Sequence, residues 1–494
     1  MQRATAIAII LLSGVLAADN GPRGTTLPVT ELELPNGMLF LLLPRPEMPT
    51  VEAGWVVTTG SAFEAPGATG ASHLIEHMLF KGTRTIGARD MKAETGVLAR
   101  LDEVELEMRA LPTSGRRAQR RHRTLETERL ELEQRARALT QLGAFSLEYS
   151  RAGATRLNAN TAEDLTLYYV TVPAEKLELW FWLESDRLLH PVFRELTKEK
   201  QVIAEERRLR IASTPTGEAD RAFDEAFWQG GGYGHSTLGR PEDVERLTRS
   251  DVRVVFDRHY RPKNLTAVLV GNFELQRVEA MARTYFGRLP ADAPASPPPR
   301  VQPALDRRGE QRLRQSCKCP EQVRIRYPTV PFGHPDQFSL QALAGVLNGR
   351  AGRLYRRLVL GREIAFSAYA QQTPLREAGF FTATLEAKGG TPLDELVAAW
   401  DAEVEQLTTR PPPGAELRRA QRRLATENLD QLKDPHYLMR RLLVYSGLGD
   451  WRQLGRWSDV IAAVEPQAIQ DVARRYLTHD RRLVGYYERT QGSR

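Results

Sequence analysis

The spacing of hydrophobic and polar positions along the chain predicts a mixture of strands and helices. Residues 31–34 alternate between polar and apolar side chains, and residues 38–43 continue as an apolar strand after a Pro-Asn-Gly turn, which indicates a β-hairpin. A further strand is predicted over residues 51–59, which are rich in Val and Thr, and an amphipathic helix over residues 173–189. We therefore expect the α+β fold class.

The second part of the chain repeats this organisation loosely. Its predicted strands are residues 322–327, 379–385 and 483–487, and its predicted helices are residues 337–347, 352–360, 392–407, 414–432 and 467–477. Between the two parts, residues 290–303 are dense in Pro and Ala, which predicts an extended, rather stiff linker. We therefore expect two related domains at residues 27–288 and 309–490, joined by a linker at residues 289–308.

Residues 91–142 differ in character from the rest of the first domain. Apolar side chains recur at helical spacing on both sides of a Pro-Thr-Ser-Gly break. They are Leu101, Val104, Met108 and Leu111 before the break, and Leu125, Leu132 and Leu139 after it. The pattern predicts an antiparallel helical hairpin, inserted at about residues 97–145 and projecting from the domain.

A basic cluster would lie near the tip of this hairpin. It consists of Arg116, Arg117, Arg120, Arg121, His122 and Arg123. We interpret the cluster mainly as a solvated charged face, with contact to a partner or to an anionic surface as the alternative. Under that alternative the protein would be a binding module, and deletion of residues 114–123 would change its localisation.

The N-terminus has the pattern of an export signal. A short positive start is followed by a mostly apolar run over residues 4–16 and by the small residues Ala17 and Ala18. This predicts a signal peptide at residues 1–18, with an uncleaved anchor as the alternative. Since no other long hydrophobic run follows, we expect an exported protein, periplasmic or secreted, without an integral membrane span.

The composition excludes several other classes of protein. The net charge of +7 is modest for 494 residues, and the mean hydropathy is −0.42. No basic groove interleaved with aromatic residues and no nucleic-acid motif is visible, so we expect no nucleic-acid partner. Cys317 and Cys319 are too few for a disulfide scaffold and are expected to be either free or joined in a tight ring.

Candidate chemistry concentrates in the apolar stretch of residues 72–83. If that stretch is helical, His73 and His77 stand one turn apart on the same face, and Glu76 shares that face. Two imidazoles so placed can bind one zinc ion, and the carboxylate can act on a water molecule beside it. The order His-x-x-Glu-His is a recognised zinc-peptidase signature. The competing interpretation is a hydrogen-bonded helix face without a metal.

A third ligand must come from elsewhere in the chain. Glu199 and Glu206 lie seven positions apart in a predicted helix that begins near Phe193, so they share one face of it. Glu206 is the candidate third ligand, with Glu199 behind it. Glu205 is an adjacent competitor, and acidic residues on exposed helices are common without any such role.

Taken together, these motifs resemble the pitrilysin/insulinase family of zinc peptidases, in particular its two-domain processing-peptidase type. The matching segments are residues 70–83, 158–161, 199–206, 260–273 and 349–355. The resemblance implies two homologous α/β sandwich domains with mostly antiparallel sheets, facing each other across a cavity. In the second domain, residues 337–347 take the place of the metal-bearing helix but contain neither His nor Glu.

The resemblance also implies roles for individual residues. It makes Zn2+ the cofactor, with His73, His77 and Glu206 as its ligands. Glu76 would be the catalytic base, and Glu199 would orient one of the ligands. Asn158 and Ala159 would lie on the edge strand that pairs with an extended substrate. The implied function is a zinc-dependent endopeptidase that acts on peptides or unfolded polypeptide segments.

Two departures from the family pattern bear on this function. The interval between His77 and Glu206 is long, and the helical hairpin accounts for the excess. Family members commonly bring an Arg and a Tyr, seven positions apart, from the second domain to the substrate carbonyl, but Val359 and Phe366 stand at those positions. Neither side chain can donate a hydrogen bond to a developing oxyanion.

The missing pair leaves open how the chain would act. A shift could bring one of four nearby donors into place, namely Arg356, Arg357, Arg362 or Tyr369. We expect either a homodimer or, as the favoured arrangement, a heterodimer in which a paralogous subunit without the metal motif supplies the Arg and the Tyr. The alternative function is a catalytically weak or inactive subunit that acts as a scaffold or partner in a heterodimeric peptidase.

Overall fold

The computed structural model of the chain describes residues 27–112, 114–291 and 309–490. The predicted signal peptide at residues 1–18 and most of the predicted linker at residues 289–308 lie outside the described residues. The chain up to residue 291 builds one sheet, and the chain from residue 309 builds a second. We call these parts the first half and the second half. Two sheets with helices around them confirm the predicted α+β fold class.

A six-stranded sheet forms the centre of the first half. Its strands are β1 (Thr30–Glu33), β2 (Leu39–Pro44), β3 (Thr50–Val57), β4 (Thr155–Thr161), β5 (Thr166–Pro173) and β6 (Leu265–Gly271). Their order is β1-β2-β6-β3-β5-β4, and all neighbours are antiparallel except β2 and β6. β4 is therefore an edge strand, paired on one side with β5.

The helices of the first half are α1 (Ala71–Met78), α2 (Met91–Ala110), α3 (Arg116–Leu139), α4 (Ala144–Arg151), α5 (Leu177–Leu189), α6 (Leu196–Arg207), α7 (Gly217–Trp228), α8 (Pro241–Arg246), α9 (Arg249–His259) and α10 (Leu275–Tyr285). The main core lies between the sheet and several of these helices, which include α1 and α5. Trp55, Tyr168 and Trp180 are fully buried in this core. Burial of such large aromatic surfaces is a major stabilising contribution, and it fixes α1 and α5 against β3 and β5.

A five-stranded sheet forms the centre of the second half. Its strands are β7 (Gln311–Cys317), β8 (Gln322–Thr329), β9 (Ala365–Pro374), β10 (Gly379–Ala387) and β11 (Leu483–Arg489). Their order is β7-β11-β8-β10-β9, and only β7 and β11 are parallel. The sequence predicts the three central strands but neither edge strand, because most side chains of β7 are polar and β9 lacks a regular alternation of apolar and polar residues.

The helices of the second half are α11 (Asp336–Leu347), α12 (Leu393–Thr409), α13 (Gly414–Leu432), α14 (Pro435–Leu448), α15 (Arg452–Ala462) and α16 (Pro466–Tyr476). Of these, α11, α12 and α16 contact the second sheet. The helix predicted at residues 352–360 is mainly a π-helical segment, Tyr355–Gly361. α14 and α15 are absent from the helices that the sequence predicts.

One helix from each half packs on the sheet of the other half. α14 of the second half packs on the first sheet, where Met439, Leu442 and Leu443 are fully buried against strands that include β3 and β6. α7 of the first half packs on the second sheet through Phe223 and Phe227. The two halves are therefore joined by two apolar contacts that lie far apart in sequence.

The predicted hairpin is formed by α2 and α3. The side chains that pack between these helices include Val97, Leu101, Val104, Leu125 and Leu132. The two helices span residues 91–139, so the hairpin begins and ends earlier than the predicted 97–145. It lies along the first half instead of projecting freely, because Asp102 accepts a hydrogen bond from Arg249 at 2.8 Å and Asp251 accepts one from Arg109 at 2.5 Å.

Two further expectations concern the chain as a whole. Among the described residues, the structure has no helix that is both long and apolar enough to span a membrane. Cys317 and Cys319 are joined by a disulfide, which is one of the two states that the sequence leaves open.

Candidate metal centre

Helix α1, which carries the His-x-x-Glu-His sequence, begins at a tight turn. Gly70 precedes it with φ of 90°, a left-handed conformation that glycine adopts readily. The carboxyl group of Glu64 accepts hydrogen bonds from the backbone N–H groups of Gly70 and Ser72, each at 2.7 Å. These bonds satisfy donors at the start of α1 that the helix itself leaves unpaired. Burial raises the pKa of Glu64 to about 8, although the hydrogen bonds act in the opposite direction.

The structure brings His73, His77 and Glu206 together. Nε2 of His73 lies 3.5 Å, and Nε2 of His77 lies 3.6 Å, from the same Oε2 atom of Glu206. The candidate ligand atoms of all three residues lie within 4.8 Å of one another. The helical spacing puts both imidazoles on one face of α1, and α6 packs against α1 and supplies the carboxylate.

The side chains at this position fit a zinc ion. Among the described residues, Oε2 of Glu206 is buried and has no hydrogen-bond partner, whereas buried carboxylate oxygens normally have one. The two Nε2 atoms point at it from distances longer than an ordinary hydrogen bond. Two His and one Glu form a ligand set of catalytic zinc sites. Glu205, the competing candidate, is exposed and accepts a hydrogen bond from Arg208 at 2.8 Å.

The pKa shifts in the centre favour the metal-binding protonation states of two residues, His73 and Glu206. Burial, together with the charge of His77, lowers the pKa of His73 to about 4. Burial also opposes protonation of His77, but the neighbouring carboxylates of Glu199 and Glu206 outweigh it and raise the pKa of His77 to about 9. The neighbouring imidazole of His77 lowers the pKa of Glu206. At neutral pH, His73 is therefore a neutral imidazole and Glu206 an ionised carboxylate, which are the forms that bind metals.

Glu199 lies behind His77, on the side away from Glu206. Oε2 of Glu199 is 3.2 Å from Nδ1 of His77, and Oε1 is 2.6 Å from Nζ of Lys81. Burial opposes ionisation of Glu199, but these two contacts outweigh it and lower its pKa. An ionised carboxylate at Nδ1 favours the tautomer with the proton on that nitrogen, which leaves Nε2 free to act as a ligand.

Glu76 lies on α1 between the two histidines but outside the group of candidate ligands. Its Oε2 accepts a hydrogen bond of 2.5 Å from Oγ1 of Thr161. Burial raises the pKa of Glu76, and the bond from Thr161 lowers it. A carboxylate whose pKa is raised toward neutrality is better suited to accept and return a proton at that pH.

Asn158 and Ala159 lie on the edge strand β4. They pair with Tyr169 and Tyr168 of β5, respectively, so one side of β4 has no strand neighbour among the described residues. An edge of this kind can pair with an extended peptide. Oδ1 of Asn158 accepts a hydrogen bond from the N–H of Ala159 at 2.9 Å, and this bond would have to open if a substrate used that N–H.

Positions 359 and 366 in the second half bear no polar side chain. Val359 is half-buried against the core of the second half. Phe366 is 68% exposed at a bulge of β9, where the pairing with β10 shifts register. The structure therefore provides no side-chain hydrogen-bond donor at either position.

Of the four nearby donors named from the sequence, two form ion pairs and two are exposed. Arg357 donates to Glu403 at 2.7 Å, and Arg362 donates to Glu395 at 2.8 Å. Arg356 and Tyr369 are exposed, the latter by 49%. A substrate could therefore reach Arg356 or Tyr369 without breaking one of these ion pairs.

Four residues that hold the centre in place are not among the site residues predicted from the sequence. They are Glu64, Lys81, Thr161 and Arg210, whose Nη2 lies 2.6 Å from Oε1 of Glu206. Lys81 and Arg210 each stand four positions after a candidate ligand, so helical spacing could have indicated them. Nothing in the local pattern marks Glu64 or Thr161, because both reach α1 through tertiary packing.

Comparison with known proteins identifies two matching family models. The model described as "Insulinase (Peptidase family M16)" matches residues 40–98, which include α1. The model described as "Peptidase M16 inactive domain" matches residues 246–424, from the end of α8 to within α13. The candidate metal motif lies in the first of these regions, and the second half lacks it.

Several relatives match most of the chain. Zinc protease PqqE of Helicobacter pylori is 24% identical over 365 residues, which cover 73% of this chain and 69% of the relative. The uncharacterized zinc protease YmxG of Bacillus subtilis is 22% identical over 459 residues, which cover 90% of this chain and 95% of the relative.

Solved structures show the same fold. A protease from Helicobacter pylori superposes with a TM-score of 0.77 at 20% identity, covering 94% of this chain and 100% of that chain. The periplasmic protease PqqL from Escherichia coli superposes with a TM-score of 0.70 at 18% identity, covering 94% of this chain and 48% of that chain.

Proposed function

The chain belongs to the insulinase family, peptidase family M16, and from this premise we propose that it is a zinc-dependent endopeptidase. The observation that supports the proposal most strongly is the convergence of His73, His77 and Glu206 on one position, with Glu76 beside them. Its substrates would be peptides or unfolded polypeptide segments bound as an extended strand. The two domains would be residues 27–288 and 309–490, as the sequence predicts.

The chain's own residues would hold and orient the metal ligands. His73 and His77 would bind through Nε2 and Glu206 through Oε2, and zinc held there supplies a Lewis acid to the reaction. Glu199 keeps the Nδ1 proton of His77 in place. Arg210 holds Oε1 of Glu206, so that Oε2 faces the two imidazoles.

Glu76 would move the proton during hydrolysis. Its carboxylate takes a proton from the attacking water and passes it to the leaving amine. Thr161 holds Oε2 of Glu76 and thereby limits rotation of the carboxylate. Since Thr161 ends β4, the same strand that would bind the substrate near Asn158 also positions the base.

The variant Glu76→Gln tests this function. The substitution keeps the shape of the side chain but removes the base, so we expect hydrolysis of an unstructured peptide to fall by about 10²-fold or more. Zinc content, measured by metal analysis, should stay at the wild-type level. Glu205→Gln is the matched control, because Glu205 is exposed and points away from the centre. Full activity of Glu76→Gln would refute the mechanism.

The side chains at positions 359 and 366 favour a second candidate function. With Val359 and Phe366 in place of the family's Arg and Tyr, the chain could be a weak or inactive subunit that needs a paralogous partner. Peptide cleavage should then be slow for the chain alone and fast when a paralogue with the Arg/Tyr pair is added. Equal turnover with and without that partner would refute this candidate.

We also propose that the protein acts outside the cytoplasm. The proposal rests on the pattern of residues 1–18, and the similar protein PqqL is described as periplasmic. Cell fractionation with detection of the chain tests it, since recovery in the cytoplasmic fraction alone would contradict export.

A further inference from the structure

The start of helix α3 carries exposed arginines that the candidate metal centre does not use. We call residues 114–123 the hairpin tip. Arg116, Arg117, Arg120 and Arg123 are all exposed. In the part of the chain that the structure describes, the one ion pair at the tip is that of Arg121, which contacts Glu107 at 2.6 Å. The tip therefore has a surplus of positive charge.

Three of these arginines face outward together. Arg116, Arg120 and Arg123 follow the spacing i, i+4, i+7, which places them on one side of α3. Leu125 and Leu132 lie on the opposite side, where they are buried against α2. The arginines therefore point away from the hairpin's own core and are accessible to a large partner.

The local electrostatics add to the positive charge. α3 has no acidic residue in its first turn, and Gly115 before it provides no side-chain cap. Since the N-terminal end of a helix carries partial positive charge, the arginines raise the positive potential there. An anionic partner would relieve the mutual repulsion of the arginines and the helix N-terminus.

The composition of the tip favours a lipid surface over a protein. Protein interfaces normally have an apolar or aromatic centre, but residues 114–123 contain no aromatic side chain, and their one apolar side chain is Ala118. Anionic headgroups in a bilayer require only accessible positive charge. We propose that the hairpin tip docks the protein on a bilayer surface that contains anionic phospholipids.

The hairpin is held to the rest of the first half at both ends, so docking of its tip would also affect how the candidate metal centre is oriented. Arg109 holds the end of α2 to Asp251, so the tip cannot swing freely. At the other end, Arg194 bonds both to Glu94 of α2 and to the backbone carbonyl of Thr83, which follows α1. Docking of the tip would therefore set the orientation of α1 relative to the membrane.

The experiment compares two triple variants of the mature protein in vesicle co-sedimentation. The tip variant is Arg116→Gln, Arg120→Gln and Arg123→Gln, which removes the three arginines that face outward together. The matched control is Arg418→Gln, Arg419→Gln and Arg422→Gln, which removes equal charge from exposed positions of α13. The vesicles contain phosphatidylglycerol and phosphatidylcholine in equal parts, and vesicles of pure phosphatidylcholine serve as the uncharged reference.

We expect the tip variant to lose about 100-fold in partitioning, since each arginine contributes about fivefold at an anionic surface. The control variant should bind like wild type, and both should cleave a soluble peptide like wild type. Equal losses in both variants would show binding by net charge and overturn the proposal. No binding by wild type, undiminished binding by the tip variant, or equal binding to pure phosphatidylcholine would also overturn it.

Discussion

Thr161 donates a hydrogen bond of 2.5 Å to the carboxylate of Glu76, and this bond links the edge strand β4 to helix α1. Asn158 and Ala159 lie on the same strand, only a few residues earlier. Since β4 is an outer strand of the sheet, a peptide that pairs with it would lie beside the residue that holds the candidate base. Under the proposed function, substrate binding and proton transfer would therefore both depend on β4.

The variant Thr161→Val tests the importance of this link. It keeps the volume of the side chain but leaves a buried carboxylate oxygen without its donor, so we expect kcat to fall by about 10- to 100-fold. KM and zinc content should change little, because Thr161 contacts neither a candidate metal ligand nor the outer edge of β4 directly. Thr161→Ser keeps the hydroxyl and should recover most of the activity. An unchanged kcat in Thr161→Val would show that Glu76 needs no such support.

Helical spacing is the reason that much of the centre could be predicted from the sequence. His73, Glu76 and His77 lie within a turn and a half of one helix, so their shared face follows from the fold of α1 alone. The common face of Glu199 and Glu206 follows in the same way from α6. That α6 lies against α1, by contrast, was implied by the family resemblance and not by any local pattern.

Contacts between separate elements of the structure explain what could not be predicted. Glu64 lies in a turn before α1, and Thr161 reaches α1 only because β4 is placed at the edge of the sheet. α14 belongs to the second half in sequence but buries Leu442 and Leu443 against the first sheet. No periodicity within a single segment contains that information.

The variants Glu206→Ala and Glu205→Ala separate the two candidates for the third ligand. Oε2 of Glu206 faces both imidazoles, whereas Glu205 is exposed and paired with Arg208. We expect Glu206→Ala to lose zinc affinity by about 100-fold or more, because three ligands become two. Competition with a chelator measures this loss. Retained affinity in Glu206→Ala, or an equal loss in Glu205→Ala, would contradict the assignment.

The buried carboxyl of Glu64 should make stability depend on pH. Its pKa is about 8 in the folded protein against an ordinary value of 4.5, so between these values the folded chain holds a proton that the unfolded chain has released. The unfolded state then binds fewer protons, and the free energy of unfolding falls as pH rises, by up to about 1.4 kcal/mol per pH unit. Glu64→Gln should remove this slope.

Urea unfolding of the zinc-free protein at several values between pH 5 and about 8 measures the effect. The difference between Glu64→Gln and wild type isolates Glu64, because the histidines of the metal centre titrate in both proteins. Glu205→Gln serves as the control, since Glu205 is exposed and lies outside the helix cap. If Glu64→Gln and wild type have parallel pH profiles, the carboxyl of Glu64 is ionised in the folded state and caps α1 as a carboxylate.

The ion pair between Arg194 and Glu94 should be essential for the attachment of the α2–α3 hairpin to α1. Nε of Arg194 lies 2.6 Å from Oε1 of Glu94, and both side chains are almost completely buried. Arg194→Met leaves the carboxylate of Glu94 buried and unpaired, which costs about 3–5 kcal/mol of stability. Arg283→Met, which breaks a half-exposed pair with Glu279, should cost less than about 1 kcal/mol.

Calorimetric melting of wild type, Arg194→Met and Arg283→Met measures the loss of stability in each variant. Hydrogen exchange shows where the structure opens. In Arg194→Met we expect faster exchange in α2 and in the backbone around Thr83, because Arg194 also donates to the carbonyl of Thr83 at 2.7 Å. Adding Glu94→Leu removes the unpaired charge and should restore part of the lost stability, although the carbonyl of Thr83 stays without its donor. A double variant no more stable than Arg194→Met would show that the bonds to the backbone, and not the ion pair, hold the hairpin to α1.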